Sequence, residues 1–171
     1  MYTIRKKYTV EYAHQLRTAF SEGCWKTIHG HSGTVEVFFC ADVLDKHNMV
    51  IDFGEISSVV KKYLMDNYDH ALIMPRGDPN DNNWQTYLSA LEKFNSKLFI
   101  VDENPTAEFF AKQMFLKIEE LLLSVICVDN DRNFHVRKVR FHETDTGYAE
   151  YSPYDIPVDD SCGGCTCLPK Q

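Results

Sequence analysis

Nowhere does the chain run apolar for the roughly 18 residues that a membrane-spanning helix needs. Its opening, MYTIRKKYTV, holds no apolar leader core. A cytoplasmic protein with no membrane partner is expected. A basic surplus is missing too. Eighteen Lys and Arg stand against 25 Asp and Glu, a net charge of −7, whereas non-specific nucleic-acid binding feeds on excess Lys and Arg. No nucleic-acid partner is expected. Six cysteines are present, but they form no extracellular framework: Cys24, Cys40 and Cys127 stand singly, and Cys162, Cys165 and Cys167 crowd the C-terminal end. Reduced thiols are expected. There is no internal repeat and no sign of a second domain. The 171 residues suffice for one domain with a substantial core, read as residues 1–152, with 153–171 as an Asp-, Gly- and Pro-rich flexible tail.

What the chain does hold is Cys24-Trp25-Lys26-Thr27-Ile28-His29-Gly30-His31. In a strand, residues i and i+2 point to one face, about 6.5–7 Å apart at Cα. His29 and His31 can therefore grip one ion from the same side, whereas on a helix they would diverge. Upstream, Tyr2, Ile4, Tyr8, Val10 and Tyr12 alternate with Thr3, Arg5, Lys7, Thr9 and Glu11, the pattern of a half-buried strand. That alternation points His14 inward. Three neutral imidazoles and one open position describe a catalytic zinc site, with His14, His29 and His31 as its candidate ligands if the first two strands pair. A bare His-x-His also fits a surface pair or a satisfied core pair; the inward His14 and the nearby cysteine favour metal. Cys24 has two readings. It is a fourth ligand closing the site, or a base or nucleophile beside the open position, where zinc or an imidazole would lower its pKa. Cys40 and Cys127, in apolar runs, read as inert buried thiols.

The remaining elements follow from period. Residues 15–28 read as a loop and Thr34–Ala41 as a second strand continuing from the histidines. Asp52 with Glu55 resembles a capping box, and Ile56, Val59, Val60, Tyr63 and Leu64 give an amphipathic helix. Residues 75–83 are a polar loop, Trp84, Leu88 and Leu91 suggest a short helix, and Lys97–Val101 a short extended piece. Asn104-Pro105 opens the strongest helix, with Asn as N-cap and Pro at the first position, and Phe110, Met114, Ile118, Leu121, Leu122 and Val125 as its buried stripe. After an Asn130–Asn133 turn, Val136–Glu143 and Tyr148–Tyr151 complete an order β-β-α-α-β-β. That is an α+β fold, an antiparallel four-stranded sheet with two helices on one face. Its exposed edges point to oligomerisation.

Two further features bear chemistry. Asp69-His70 sets a carboxylate beside an imidazole, able to act as general acid or base. Adjacent helical residues do not face each other, so the pair needs irregular backbone or a partner from another chain; a solvated pair is the plainer reading. Glu143 shares the parity of Val139 and Phe141, and a buried carboxylate is costly unless hydrogen-bonded. It suits the two parallel N–H groups of an amino-pyrimidinone ring, or else lies past the buried part of its strand, in water.

Taken together, the motifs resemble the 6-pyruvoyl tetrahydropterin synthase / 6-carboxytetrahydropterin synthase (QueD-type) family. The resemblance runs from Tyr8 to Tyr151. It rests on Glu11-Tyr12-Ala13-His14, Cys24 with His29-Gly30-His31, Val50-Ile51-Asp52-Phe53, Asp69-His70-Ala71-Leu72, Glu103–Glu108 and Glu143-Thr144 before Gly147. It implies a tunnelling fold (T-fold) assembled as a trimer-based homohexamer, with zinc on His14, His29 and His31. It also implies Cys24 as catalytic thiolate, Asp69 and His70 as a catalytic pair supplied across a subunit interface, and Glu143, Thr106 and Glu108 as residues of the pterin pocket. The implied substrate is 7,8-dihydroneopterin triphosphate. The QueD-type reaction cleaves its side chain, releases acetaldehyde and feeds 7-deazaguanine (queuosine) synthesis; the pyruvoyl synthase keeps that side chain. A non-catalytic pterin- or metal-binding member is a third reading, opposed by the filled catalytic positions. Four residues separate Cys24 from His29, a gap between those typical of the two enzymes. Gln15 stands where the family often has Arg, with Arg17 or Lys26 as replacements for a phosphate contact. Residues 75–101 exceed the shortest members. The tail's Cys162-Gly-Gly-Cys165-Thr-Cys167 lacks a second metal half-site and reads as dispensable or oxidation-prone.

Overall fold

The computed structural model describes residues 1–125 and 134–153. Its elements are β1 (Tyr2–His14), α1 (Glu22–Lys26), β2 (His29–Ala41), α2 (Phe53–Asn67), β3 (Ala71–Pro75), α3 (Asn82–Phe94), β4 (Leu98–Val101), α4 (Ala107–Val125), β5 (Phe134–Thr144) and β6 (Gly147–Tyr151). Cys127, the Asn130–Asn133 turn and the tail cysteines lie outside the described residues. None of the described helices is long and apolar enough to cross a membrane.

The four strands expected from alternation, β1, β2, β5 and β6, pair antiparallel in that order. The sheet is nevertheless larger than the four-stranded antiparallel one expected. β3 pairs parallel with β1, and β4 parallel with β3, giving a six-stranded mixed sheet in the order β4-β3-β1-β2-β5-β6. The α+β class stands; the strand count is corrected. β3 escaped because every one of its residues is buried, and a strand covered on both faces shows an apolar run rather than alternation.

Its two faces meet different partners. Ala71 and Ile73 join the main core, while Leu72 and Met74 pack with Leu88 of α3. Successive strand residues face opposite sides, so α3 covers the second face of the sheet at this edge. The main core fills the first face. There Val10, Tyr12, Val35, Val37, Phe39, Val139 and Phe141 of the strands meet Ile56, Val60 and Leu64 of α2 and Phe110, Met114 and Ile118 of α4. The expected pair of helices on one face is therefore α2 and α4, with α3 opposite. Asp52 caps α2 by accepting the Gly54 N–H.

Gly33 of β2 shows how tightly this core closes near the histidines. A Cβ there would stand 2.9 Å from Tyr12 Cε1 and 3.0 Å from Phe141 Cζ. Gly33→Ala must displace two interlocked rings and is expected to destabilise by about 1–3 kcal/mol, read as a lowered midpoint in chemical unfolding. An unchanged midpoint would show that these rings are free to move.

Candidate metal centre and active site

Strand register assembles the centre. His14 lies directly opposite His29, and Tyr12 opposite His31, so two strand ends deliver three imidazoles to one point. One ligand atom from each of the three lies within 4.8 Å of the others, and the ring centroids are 4.5, 5.0 and 5.1 Å apart. The residue pattern alone pointed to these three, and they do converge.

The surroundings fix how each ring presents itself. His14 Nδ1 is 2.8 Å from the Pro105 carbonyl, and His29 Nδ1 is 3.0 Å from the Thr27 carbonyl. A carbonyl only accepts, so in both rings Nδ1 carries the hydrogen and, in the neutral form, Nε2 holds a lone pair. Those two Nε2 atoms stand 3.0 Å apart. His31 Nε2 is buried without a hydrogen-bond partner. Burial lowers the His14 pKa to about 4, with the Pro105 carbonyl opposing and the neighbouring His29 and His31 reinforcing the shift. Burial likewise lowers His31, against the pull of Glu143. Burial that disfavours charge on His14 and His31, clustered nitrogens, an orphaned buried nitrogen and outer-shell carbonyls fit a cation held by three imidazoles.

The Pro105 carbonyl is available because α4 starts later than its sequence suggests. The Phe110 N–H bonds to the Thr106 carbonyl, and the Phe109 N–H reaches Thr106 Oγ1 at 3.3 Å. Thr106 therefore caps the helix in place of Asn104. The Asn104 side chain is engaged elsewhere: its Oδ1 accepts the Arg17 N–H at 2.8 Å, and its amide nitrogen donates to the Thr18 carbonyl. Had Pro105 begun the helix, its carbonyl would belong to the helical ladder.

Beside the imidazoles opens a cavity of about 300 Å³, whose walls include His14, His29, Cys24, Thr106, Glu108 and Glu143. Glu143 Oε1 lies 3.4 Å from His14 Nε2 and 3.8 Å from His31 Nε2. Its carboxylate is about one-third exposed, so it is neither fully buried nor simply wet. Cys24 is half-buried and rides on α1, a turn that replaces part of the expected 15–28 loop. No residue of α1 is buried, so no apolar period betrayed it. Two residues of the site went unread. Tyr12 packs edge-on to His14 and tilted on His31, and burial, then the Glu143 charge, raises its phenol pKa above the usual range. Tyr148 also lines the cavity; it alternates with strand neighbours and carried no distinguishing signal.

Asp69 and His70 do meet each other, through irregular backbone. His70 adopts a left-handed φ of 58°, a conformation in which non-glycine residues are uncommon. Its Nδ1 comes 2.8 Å from Asp69 Oδ2. Asp69 Oδ1 accepts the Glu11 N–H at 3.0 Å, the leading cause of its lowered pKa, which burial opposes and the His70 contact reinforces. Within one chain the pair does not join Cys24. His70 lines a separate opening of about 580 Å³ that His31 also borders. As for the suggested phosphate contacts, Arg17 pairs with Asp81 and lies over the Trp84 ring, and Lys26 pairs with Glu22.

A mixed α+β sheet carrying convergent imidazoles, a thiol and carboxylates around one cavity defines a small-molecule site able to hold a metal ion. Residues 3–153 match the family model described as 6-pyruvoyl tetrahydropterin synthase. The chain belongs to that family, and its fold is the T-fold. It is 30% identical over 154 residues to a 6-carboxy-5,6,7,8-tetrahydropterin synthase of Haemophilus influenzae, covering 88% of this chain and 99% of that protein. A Helicobacter pylori protein of the same name is 31% identical over 147 residues, covering 86% of this chain and 70% of its own length. Among solved structures, an uncharacterised Wolinella succinogenes protein superimposes with a TM-score of 0.69 at 19% identity, over 89% of this chain and 98% of that one. The Caenorhabditis elegans 6-pyruvoyl tetrahydropterin synthase gives 0.57 at 19% identity, over 88% and 94%. At such identities these structures speak to the fold alone.

Proposed function

We propose that the chain is a zinc-dependent 6-carboxy-5,6,7,8-tetrahydropterin synthase. In this reading 7,8-dihydroneopterin triphosphate and water give 6-carboxytetrahydropterin, acetaldehyde and triphosphate. The observation that carries it is the cluster of three imidazoles, two of which, His14 and His29, wall one cavity with a half-buried thiol and Glu143; the names of the relatives at about 30% identity favour the carboxy product.

His14, His29 and His31 would hold Zn²⁺, which when bound supplies Lewis acidity to the substrate's side-chain hydroxyls. Cys24 takes a proton from the side chain as general base. Glu143 accepts two N–H bonds from the amino-pyrimidinone ring, and Thr106 and Glu108 wall the ring's pocket. Asp69 holds His70 Nδ1 and leaves the other nitrogen, on a side chain 79% exposed, to give or take the second proton. Because His70 and Cys24 line different openings of one chain, His70 acts from a neighbouring subunit of a trimer-based hexamer. The edge strands β4 and β6 offer unpaired backbone for such assembly.

A second reading, 6-pyruvoyl tetrahydropterin synthase, stays open because the Cys24–His29 gap of four residues is intermediate between the two enzymes. Purified protein supplied with zinc and dihydroneopterin triphosphate decides, with products identified by mass spectrometry. Carboxypterin with acetaldehyde is expected. A pyruvoyl product would transfer the chain to the second reading, and no turnover with metal bound would leave a non-catalytic binder.

A further inference from the structure

α1 carries the thiol of the site, yet little of its own holds it in place. It is five residues long and buries none of them, and its N-cap Ser21 makes no side-chain capping bond. A helix of this length does not sustain itself in water. Two of its carbonyls bond to the rest of the fold. The Leu16 N–H donates to the Cys24 carbonyl at 2.9 Å, and the Gln15 side-chain amide donates to the Trp25 carbonyl at 2.7 Å.

Gln15 is itself held. It is 6% exposed, and its Oε1 accepts the Tyr87 hydroxyl at 2.9 Å. Tyr87 sits on α3, within the long 75–101 segment, and packs with the Leu72, Met74 and Leu88 cluster. The amide thus has its oxygen fixed by α3 and its nitrogen aimed at the residue after Cys24. A second tie runs parallel: Arg17 reaches Asp81 at the start of α3 and lies 5.0 Å from the Trp84 ring centroid.

We propose that Gln15 and Tyr87 are positioning residues, through which the 75–101 segment sets where the Cys24 thiol stands in the cavity. This rests on the reading of Cys24 as the base, and it gives the segment a task. Gln15, at a position where a basic residue would offer a phosphate contact, instead has both ends of its amide committed to protein groups.

The test uses full-length, zinc-loaded protein and two variants that keep side-chain volume. Tyr87→Phe removes only the hydroxyl. Gln15→Glu keeps an acceptor for Tyr87 but faces the Trp25 carbonyl without a donor. The first readout is the rate at which iodoacetamide alkylates Cys24, followed by mass spectrometry of the tryptic peptide Thr18–Lys26, whose only cysteine is Cys24. The second is the split between kcat and KM. Both variants are expected to change Cys24 alkylation by about threefold or more and to lower kcat by about tenfold or more, with KM within about twofold, as a small displacement of a reacting group does. Zinc content should not change. Wild-type alkylation rates and kcat in both variants would overturn the proposal, as would a lowered Tm with the two readouts unmoved, since that marks a purely structural bond. The two readings fail separately. If Cys24→Ala retains turnover while Tyr87→Phe still alters alkylation, the base assignment falls and the latch stands.

Discussion

Cys24→Ala is expected to lower kcat by about 10²–10⁴-fold, the usual worth of a positioned general base, while the protein still binds added zinc. The backbone of α1 is anchored through the Cys24 and Trp25 carbonyls, and an alanine leaves both in place. The thiol is only half-buried, so its loss opens no core cavity, and folding should be nearly unaffected. Three imidazoles gather without help from the sulfur: their ligand atoms meet within 4.8 Å as a group of three. Turnover by product analysis and metal content by elemental analysis give the two numbers. Zinc lost together with activity would make the cysteine a fourth ligand and close the site, and the mechanism would then need another base.

The second large effect separates two of the candidate ligands by burial. His29→Ala is expected to weaken zinc binding beyond the roughly 10–100-fold that loss of an outer-shell partner costs, and to abolish turnover, with the fold intact. Its ring is half-exposed at the start of β2, and the Thr27 carbonyl it engages lies in an exposed stretch, where water replaces the bond. His14→Ala should lose zinc and stability together. His14 is 1% exposed, and its removal leaves the Pro105 carbonyl without its N–H donor. A buried polar group left unpaired costs about 1–3 kcal/mol, and each kcal/mol lowers Tm by roughly 2–4 °C in a chain of this size. Titration with zinc and thermal unfolding of the metal-free proteins check both. Equal stabilities for the two apo variants would mean that the Pro105 bond is not held in the metal-free state.

Burial patterning made some elements legible in the sequence and hid others. Alternation in β1 reported that His14 faces inward because one side of that strand is wet and the other packed, and burial follows period 2. The same physics made β3 invisible: Leu72 and Met74 meet α3 while Ala71 and Ile73 meet the main core, so no residue of the run had cause to be polar. α1 was invisible for the opposite reason. With none of its residues buried, its sequence carries no apolar signal, and hydrogen bonds from Gln15 and Leu16 define it. Asn104-Pro105 looked like a helix start because both residues suit one. Tertiary partners, Arg17 for Asn104 and His14 for Pro105, claimed the same groups first.

Sequence alone therefore determined the candidate histidines, thiol and carboxylate, though not Tyr12 or Tyr148 beside them. Histidines two apart on a strand, an inward third, a cysteine in a polar loop and a carboxylate on an apolar parity are local facts, written in residue type and spacing. Only the tertiary structure decided how they stand to one another. The β1–β2 register sets His14 against His29, the delayed start of α4 releases a carbonyl to fix the His14 tautomer, and α3 reaches across the chain to hold the helix of Cys24. Those relations join residues up to 91 positions apart. Spacing encodes neighbours along the chain, whereas packing and hydrogen-bond competition select among distant partners.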